Sequence, residues 1–307
     1  MRSVLPALAL LTACAGAATR GVSPTIPAPA DALRGRLAGR IAAQPGAEVA
    51  VWFRDLANSD SVAINPGVSF HAASTMKVPV MIELFRRVDA RVTSLDNELF
   101  LQNRFASIVD GSFFSLDARD DSDSALYARV GQNVTLRELN ERMITRSSNL
   151  ATNAVIQFLD PKRVNATAHV LGARDIQVLR GVEDGKAFEK GLNNTTTARD
   201  LGVLLVTIER GTAASRSSCE AMKQVLLRQE FSTEIPAGIP PGTPVAHKTG
   251  WITGTLHDAA IVYPPSRPPY VLVVLTRKIP VQRDAQALIA DISREVYRYV
   301  ERKTAPR

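Results

Sequence analysis

Short runs of β-branched and aromatic residues lie near both ends of this chain, and longer stretches with apolar residues at helical spacing lie between them. Residues 48–55 and 61–65 are two such runs, and they predict strands joined by the turn Leu56-Ala57-Asn58-Ser59-Asp60. Residues 244–249, 255–263 and 270–276 predict three more. Residues 32–43 predict a helix with Asp31 as its N-cap. Residues 74–88 predict a second helix, largely buried, as Met81, Ile82, Leu84 and Phe85 indicate. Pro79 is tolerable there because it falls near the first turn, where few N–H groups have helical partners. Further helices are predicted over 134–143, 149–158, 197–209 and 219–228, with an amphipathic one over 285–302. The polar, acidic stretch 110–123 predicts a surface loop.

This order predicts an α/β fold of the α+β kind. An antiparallel sheet built from both chain ends is flanked by helices, and an all-helical lobe spans about 89–215. A cleft between the lobes is a natural place for a small-molecule site. With 307 residues the chain is long enough for one such two-lobed domain, assigned to 31–303.

Hydrophobic content of 45% and charged content of 22% are ordinary for a soluble globular protein. The net charge of +7 raises the question of nucleic acid. Lysines and arginines are scattered, however, with no run longer than a pair such as Arg86-Arg87. A solvated basic surface is the better reading, with no nucleic-acid partner and some preference for an anionic substrate. At the start, Arg2 precedes an apolar stretch, 4–11, too short to span a bilayer. It ends in Leu11-Thr12-Ala13-Cys14, which resembles a bacterial lipobox. That resemblance implies a signal peptide over 1–13, a lipid anchor on Cys14 that holds the protein at a membrane, and export to the periplasm or cell envelope. The alternative is simple cleavage among Ala15, Gly16, Ala17 and Ala18. Pro24, Pro27 and Pro29 make 14–30 a tether. With Cys14 lipidated or removed, Cys219 has no disulfide partner and reads as a packed small hydrophobe. A monomer is expected.

Candidate chemistry begins at Ser74-Thr75-Met76-Lys77. Three residues apart on a helix, Ser74 and Lys77 share a face. A serine hydroxyl is a poor nucleophile until a base takes its proton. A desolvated lysine can lose its own proton and serve as that base. The second element is Ser147-Ser148-Asn149, and the third is Lys248-Thr249-Gly250, on a strand. His71, His169, His247 and His257 show no paired metal spacing, so neither metal nor cofactor is expected. His257-Asp258 lacks the Gly-x-Ser-x-Gly elbow that a Ser-His-Asp hydrolase would need.

In order and context, the three elements resemble the signature of class A β-lactamases and penicillin-binding proteins. The approach Asn65-Pro66-Gly67 to Phe70-His71-Ala72-Ala73 and the run Thr195-Thr196-Thr197 resemble that family too. The resemblance implies the β-lactamase/transpeptidase fold and an acyl-enzyme on Ser74, with Lys77 accepting or relaying its proton. It implies Ser147 as donor to the leaving nitrogen, and Asn149 as a partner of the substrate's side-chain amide. Lys248 and Thr249, followed by Gly250, would hold the substrate carboxylate, and the N–H groups of Ser74 and Trp251 would form an oxyanion hole. The substrate would be a β-lactam or a cell-wall peptide. The alternative to a β-lactamase is a D-Ala-D-Ala peptidase or another amide or ester hydrolase on the same fold. Ser148 departs from the family's central Asp, a change expected to alter local support more than chemistry. Glu183, 34 residues after Asn149, is the expected deacylation base, with Asp184 and Glu189 as rivals. The family's Glu-Pro-Glu-Leu-Asn run is absent, and the Asp expected to clamp the loop's Arg180 is Asn194.

Overall fold

A computed structural model describes residues 29–304 apart from Ser59. The signal segment and Cys14 lie outside the described residues. Five strands, β1 (Glu48–Asp55), β2 (Ser61–Ile64), β3 (Val245–Ile252), β4 (Thr255–Val262) and β5 (Tyr270–Arg277), form one antiparallel sheet in the order β2-β1-β5-β4-β3. The two chain ends meet where β1 pairs with β5, from Glu48 opposite Arg277 to Asp55 opposite Tyr270. The helices are α1 (Pro29–Ala42), α2 (Lys77–Asp89), α3 (Leu136–Thr145), α4 (Asn149–Leu159), α5 (Pro161–Val170), α6 (Gly185–Glu189), α7 (Ala198–Glu209), α8 (Arg216–Leu227) and α9 (Gln282–Thr304).

Helices cover both faces of the sheet, which is why β4 and β5 are buried along nearly their whole length and β5 carries a nearly unbroken apolar run instead of alternation. On one face Val49, Val51, Phe53, Leu272 and Val274 pack with Leu33 and Leu37 of α1 and Ile289, Ile292 and Val296 of α9. On the other face Ala50, Ala259, Ile261, Val271 and Val273 join a second core with α2, α7 and α8. Helix α2 is buried from Lys77 to Phe85 because it lies between the sheet and the helical lobe.

Four expectations change, the first being that Asp31 lies inside the first turn of α1 and is not its N-cap. The lobe is not helical throughout: 98–100 pairs with 133–135, and 105–106 with 113–114. That first ladder takes the start of the helix expected at 134, so α3 begins at Leu136, capped by Thr135 Oγ1 accepting from the Glu138 N–H. The stretch 110–123 is not simply a solvated loop either, since Asp121 and Asp123 are buried.

The turn Ile235–Gly238 presses directly on α9. A Cβ on Gly238 would stand 2.1 Å from the Ala290 carbonyl oxygen, a backbone atom that cannot rotate away. Gly238→Ala is therefore expected to destabilise the protein by about 2 kcal/mol. A thermal melt checks this, and an unchanged midpoint contradicts it.

Candidate active site

Ser74 sits in a single 3-10 turn, Ala73–Met76, that runs straight into α2, so the expected helix begins with a tighter turn than predicted. Ala73 is held at φ +44°, a left-handed conformation unusual for a residue with a side chain. Two bonds pin it: the Ala73 N–H donates to His71 Nδ1 at 3.0 Å, and Thr75 Oγ1 donates to the Ala72 carbonyl at 2.6 Å. His71 thus shapes the turn before Ser74.

Lys77 is fully buried at the start of α2. Its Nζ donates to the Ser147 carbonyl (2.5 Å), Ser147 Oγ (3.1 Å) and Asn149 Oδ1 (3.1 Å). Burial, reinforced by the charge on Lys248, holds its pKa well below the usual lysine value. Lys248, also fully buried, reaches the same hydroxyl from β3 and donates to Ser147 Oγ at 3.0 Å and to the Thr249 carbonyl at 2.8 Å. Burial lowers its pKa to about 7, against the pull of Asp258 and Glu234. One hydroxyl is therefore shared between two desolvated amines.

Ser147 itself is at φ +58°. The next residue, Ser148, caps α4 by accepting from the Ala151 N–H. Support for this turn comes from Asp121, whose Oδ2 accepts from the Asn149 and Leu150 N–H groups at 2.9 Å and from Tyr127 OH at 3.1 Å. Asp121 is the residue that sequence reasoning missed. It is one of several acidic residues in a polar stretch, and its partners lie 28 residues further on. A carboxylate at the first turn of α4 also suits the helix dipole. Asp121→Ala is expected to destabilise the fold by about 2 kcal/mol and to weaken substrate binding through Asn149. Asp121→Asn should recover part of the stability, since one oxygen still accepts. Equal melting of wild type and Asp121→Ala would contradict this support.

Asn149 links Lys77 to the 180–184 segment. Its Oδ1 accepts from Lys77, and its Nδ2 donates to Glu183 Oε1 at 3.3 Å. Glu183 is exposed, lines the cleft, and adopts φ +61°. The rivals stand elsewhere. Asp184 is buried, caps α6 at the Ala187 N–H, and accepts from Ser107 Oγ and the Ile108 N–H. Glu189 is exposed on the far end of α6, outside the residues that line the cleft. Asn153, one turn beyond Asn149, bonds both the N–H and the carbonyl of Val182. Its Oδ1 would lie 2.3 Å from a Cβ on Gly181, so only glycine fits there. Asn194 does not clamp the Arg180 guanidinium. Its Oδ1 accepts from the Leu179 and Arg180 N–H groups, while the guanidinium bonds the Leu192 and Gly181 carbonyls and Asn193 Oδ1. Neutral amides hold this loop.

Strand β3 is the sheet edge that lies against Ser74. A Cβ on Gly250 would crowd the Ser74 and Thr75 nitrogens at 3.1 Å, so glycine permits the strand's close approach. Trp251 is 55% exposed at the rim instead of packed. His257 bonds the His71 and Leu256 carbonyls, and Asp258 pairs with His247, so the adjacent His257 and Asp258 are not partners. Ser74, Ser147, Asn149, Glu183, Thr249, Gly250 and Trp251 line one cleft of about 540 Å³, with Lys77 and Lys248 beneath it.

A five-stranded antiparallel sheet and a helical lobe meeting at such a cleft define the β-lactamase and penicillin-binding-protein fold. The chain matches the family model of the Beta-lactamase enzyme family over residues 32–300, and it belongs to that family of hydrolases. A β-lactamase of Streptomyces lavendulae is 29% identical, with 87% of this chain and 88% of that protein covered. Among solved structures, a β-lactamase of Sphaerobacter thermophilus is 26% identical, covering 88% of this chain and 98% of that one with a TM-score of 0.76. A variant of PBP-A, solved as an acyl-enzyme complex with penicillin G, is also 26% identical. It covers 89% of this chain and 97% of its own, with a TM-score of 0.76.

Proposed function

We propose that this protein opens β-lactam rings through an acyl-enzyme on Ser74. The observation that carries the reading is the Ser147 hydroxyl held between Lys77 and Lys248, both desolvated. A lysine whose charged form is disfavoured can take the Ser74 proton as the hydroxyl attacks the lactam carbonyl. The proton then passes through Ser147 to the lactam nitrogen as the C–N bond breaks. The Ser74 and Trp251 N–H groups receive the developing oxyanion. Lys248, Thr249 and Gly250 form the carboxylate end of the cleft, and Asn149 holds the substrate's side-chain amide. Glu183 activates the water that hydrolyses the ester on Ser74. Its position beside Asn149 supports this role over Asp184, which is committed to the α6 cap and the 107–108 loop.

Export and a lipid anchor on Cys14 belong to the same proposal. Among the described residues no helix is long and apolar enough to cross a membrane. The domain would span 31–303 behind a cleaved signal and a Pro-rich tether, and act as a monomer. Purified protein is expected to turn over a chromogenic cephalosporin, and Ser74→Ala to abolish that turnover. Turnover by the Ser74→Ala protein would reject Ser74. A wild type that is acylated but never turns over would favour the cell-wall peptidase reading.

A further inference from the structure

The backbone around His71 is tied to two other parts of the chain. Phe70 and His71 pair with Thr196 and Thr195. The His71 carbonyl accepts from His257 Nε2 of β4 at 2.9 Å, and the Ala72 N–H donates to the Asn194 carbonyl at 2.8 Å. The ring makes a T-shaped contact with Phe188 of α6, with centroids 6.2 Å apart. Held in this way, the ring presents Nδ1 to the Ala73 N–H at 3.0 Å.

That contact fixes the protonation state of the ring. A backbone N–H can only donate, so Nδ1 is the acceptor and the imidazole is neutral, with its proton on Nε2. A second proton would have to take the Nδ1 lone pair, and the imidazolium would then face the Ala73 N–H donor to donor. The charged and titratable neighbours come from three places. Arg180, Glu183 and Asp184 line the same cavity as the ring, and Asp184 is spent on the α6 cap and on Ser107. Strand β4 contributes His257. Strand β5 contributes Arg277, whose guanidinium lies over the adjacent Phe70 ring and pairs with Glu48. From α6, the side chain in contact is Phe188, which is neutral. Burial, then the Arg180 charge, lowers the pKa of His71 below the usual histidine value and so favours the acceptor form.

We propose that His71 is a positioning residue for the acylation of Ser74: its neutral Nδ1 holds Ala73 in the left-handed conformation, and protonation of the ring releases the turn. The inference rests on the acyl-enzyme reading above, which supplies the reaction that the turn serves. Ala73 carries a side chain, so φ +44° costs energy and persists only where neighbours hold it. Its conformation sets where Ser74 stands. The Ser74 nitrogen lies so near β3 that a Cβ on Gly250 would come within 3.1 Å of it. A released Ala73 would move that N–H, and the Ser74 hydroxyl with it, relative to the strand. The hold is therefore present above the pKa of His71 and lost below it.

Two measurements test this. In the first, nitrogen-15 NMR reads the His71 ring, assigned by its absence from His71→Asn. At about pH 8 the ring should be neutral with its proton on Nε2. A proton on Nδ1 there overturns the proposal, whatever the enzyme does. In the second, rates of Ser74 acylation by a penicillin are compared for wild type, His71→Asn and His71→Leu. An asparagine Oδ1 accepts from the N–H two residues on, as Nδ1 does here, but does not titrate. Leucine offers no acceptor. At about pH 8 the leucine variant should be slower by about three- to tenfold, the scale of one hydrogen bond, and asparagine should restore most of the rate. As pH falls through the His71 titration seen by NMR, the ratio of His71→Asn to wild type should rise by the same factor. Lys77 and Lys248 titrate in every one of these proteins, so they cancel from the ratio. If His71→Leu does not fold, this ratio carries the test alone. A ratio that does not change through the titration, or a ring that stays neutral down to about pH 4, overturns the proposal. Absence of any Ser74 adduct in wild type overturns the acyl-enzyme reading, and with it the reaction that His71 serves, while the tautomer is read by NMR independently.

Discussion

Replacing Lys77 with alanine should slow acylation of Ser74 by about 10²- to 10⁴-fold, the scale of a lost general base. The expectation follows from where the amine sits. Lys77 is buried at the start of the helix that follows the Ser74 turn, and burial together with Lys248 favours its neutral form. The sign for pH is definite. The proposed base is the neutral amine, so its contribution to acylation should be lost as pH drops through the lowered pKa of Lys77, while loss of the Lys248 charge above about 7 should weaken the hold on an anionic substrate. Lys77→Arg separates two roles. Arginine keeps a charge and donors at this point but does not deprotonate. If the lysine works as a base, the arginine variant is as slow as the alanine one. If Lys77→Arg acylates near the wild-type rate, Lys77 serves as a fixed cation and the proposed proton path is wrong.

Glu183→Gln should trap the acyl-enzyme, lowering its hydrolysis by about 10²-fold or more while leaving acylation within a few fold. Glu183 is the carboxylate that shares Asn149 with Lys77, and its left-handed backbone is held from the neighbouring residue by Asn153. Asp184→Asn should behave differently. It weakens the α6 cap and the tie to Ser107 and Ile108, so it should lower the melting temperature at a cost of about 1–2 kcal/mol and affect deacylation only through that loosening. Glu189→Gln should change neither. Acyl-enzyme lifetimes measured by mass spectrometry for the three variants decide the matter. A Glu183→Gln protein that deacylates like wild type removes Glu183 from the mechanism.

Much of this was legible in the chain because it is local. The strands at 48–55 and 270–276 follow from runs of β-forming residues that a doubly covered sheet requires. The spacing from Ser74 to Lys77 survives the change from an α to a 3-10 turn, since both place residues three apart near one another. What was not legible depends on contacts distant in sequence. Nothing near Asp121 marks it as the support for Asn149, because the partner is a helix terminus in another part of the lobe. Asp184 and Glu183 are adjacent acids, and only the docked 105–114 hairpin separates a structural carboxylate from one facing the cleft. Asn194 stands where a clamping acid was expected, yet it bonds backbone groups, because an amide can both accept from Leu179 and Arg180 and donate to the Arg180 carbonyl. At His257-Asp258, which the sequence already set aside for want of a nucleophile elbow, adjacency again carries no contact. Neighbouring strand residues point to opposite faces, so Asp258 meets His247 across the sheet instead.

The proposed function requires that Ser74 carry the acyl group and release it. Intact-mass spectrometry after brief exposure to a penicillin tests it most directly, followed by peptide mapping and a timed chase. A single adduct of the penicillin's full mass is expected on the peptide containing Ser74. This adduct should be absent in Ser74→Ala and lost from wild type during the chase. An adduct that persists in Ser74→Ala, or no adduct on wild type together with no consumption of the penicillin, would contradict it.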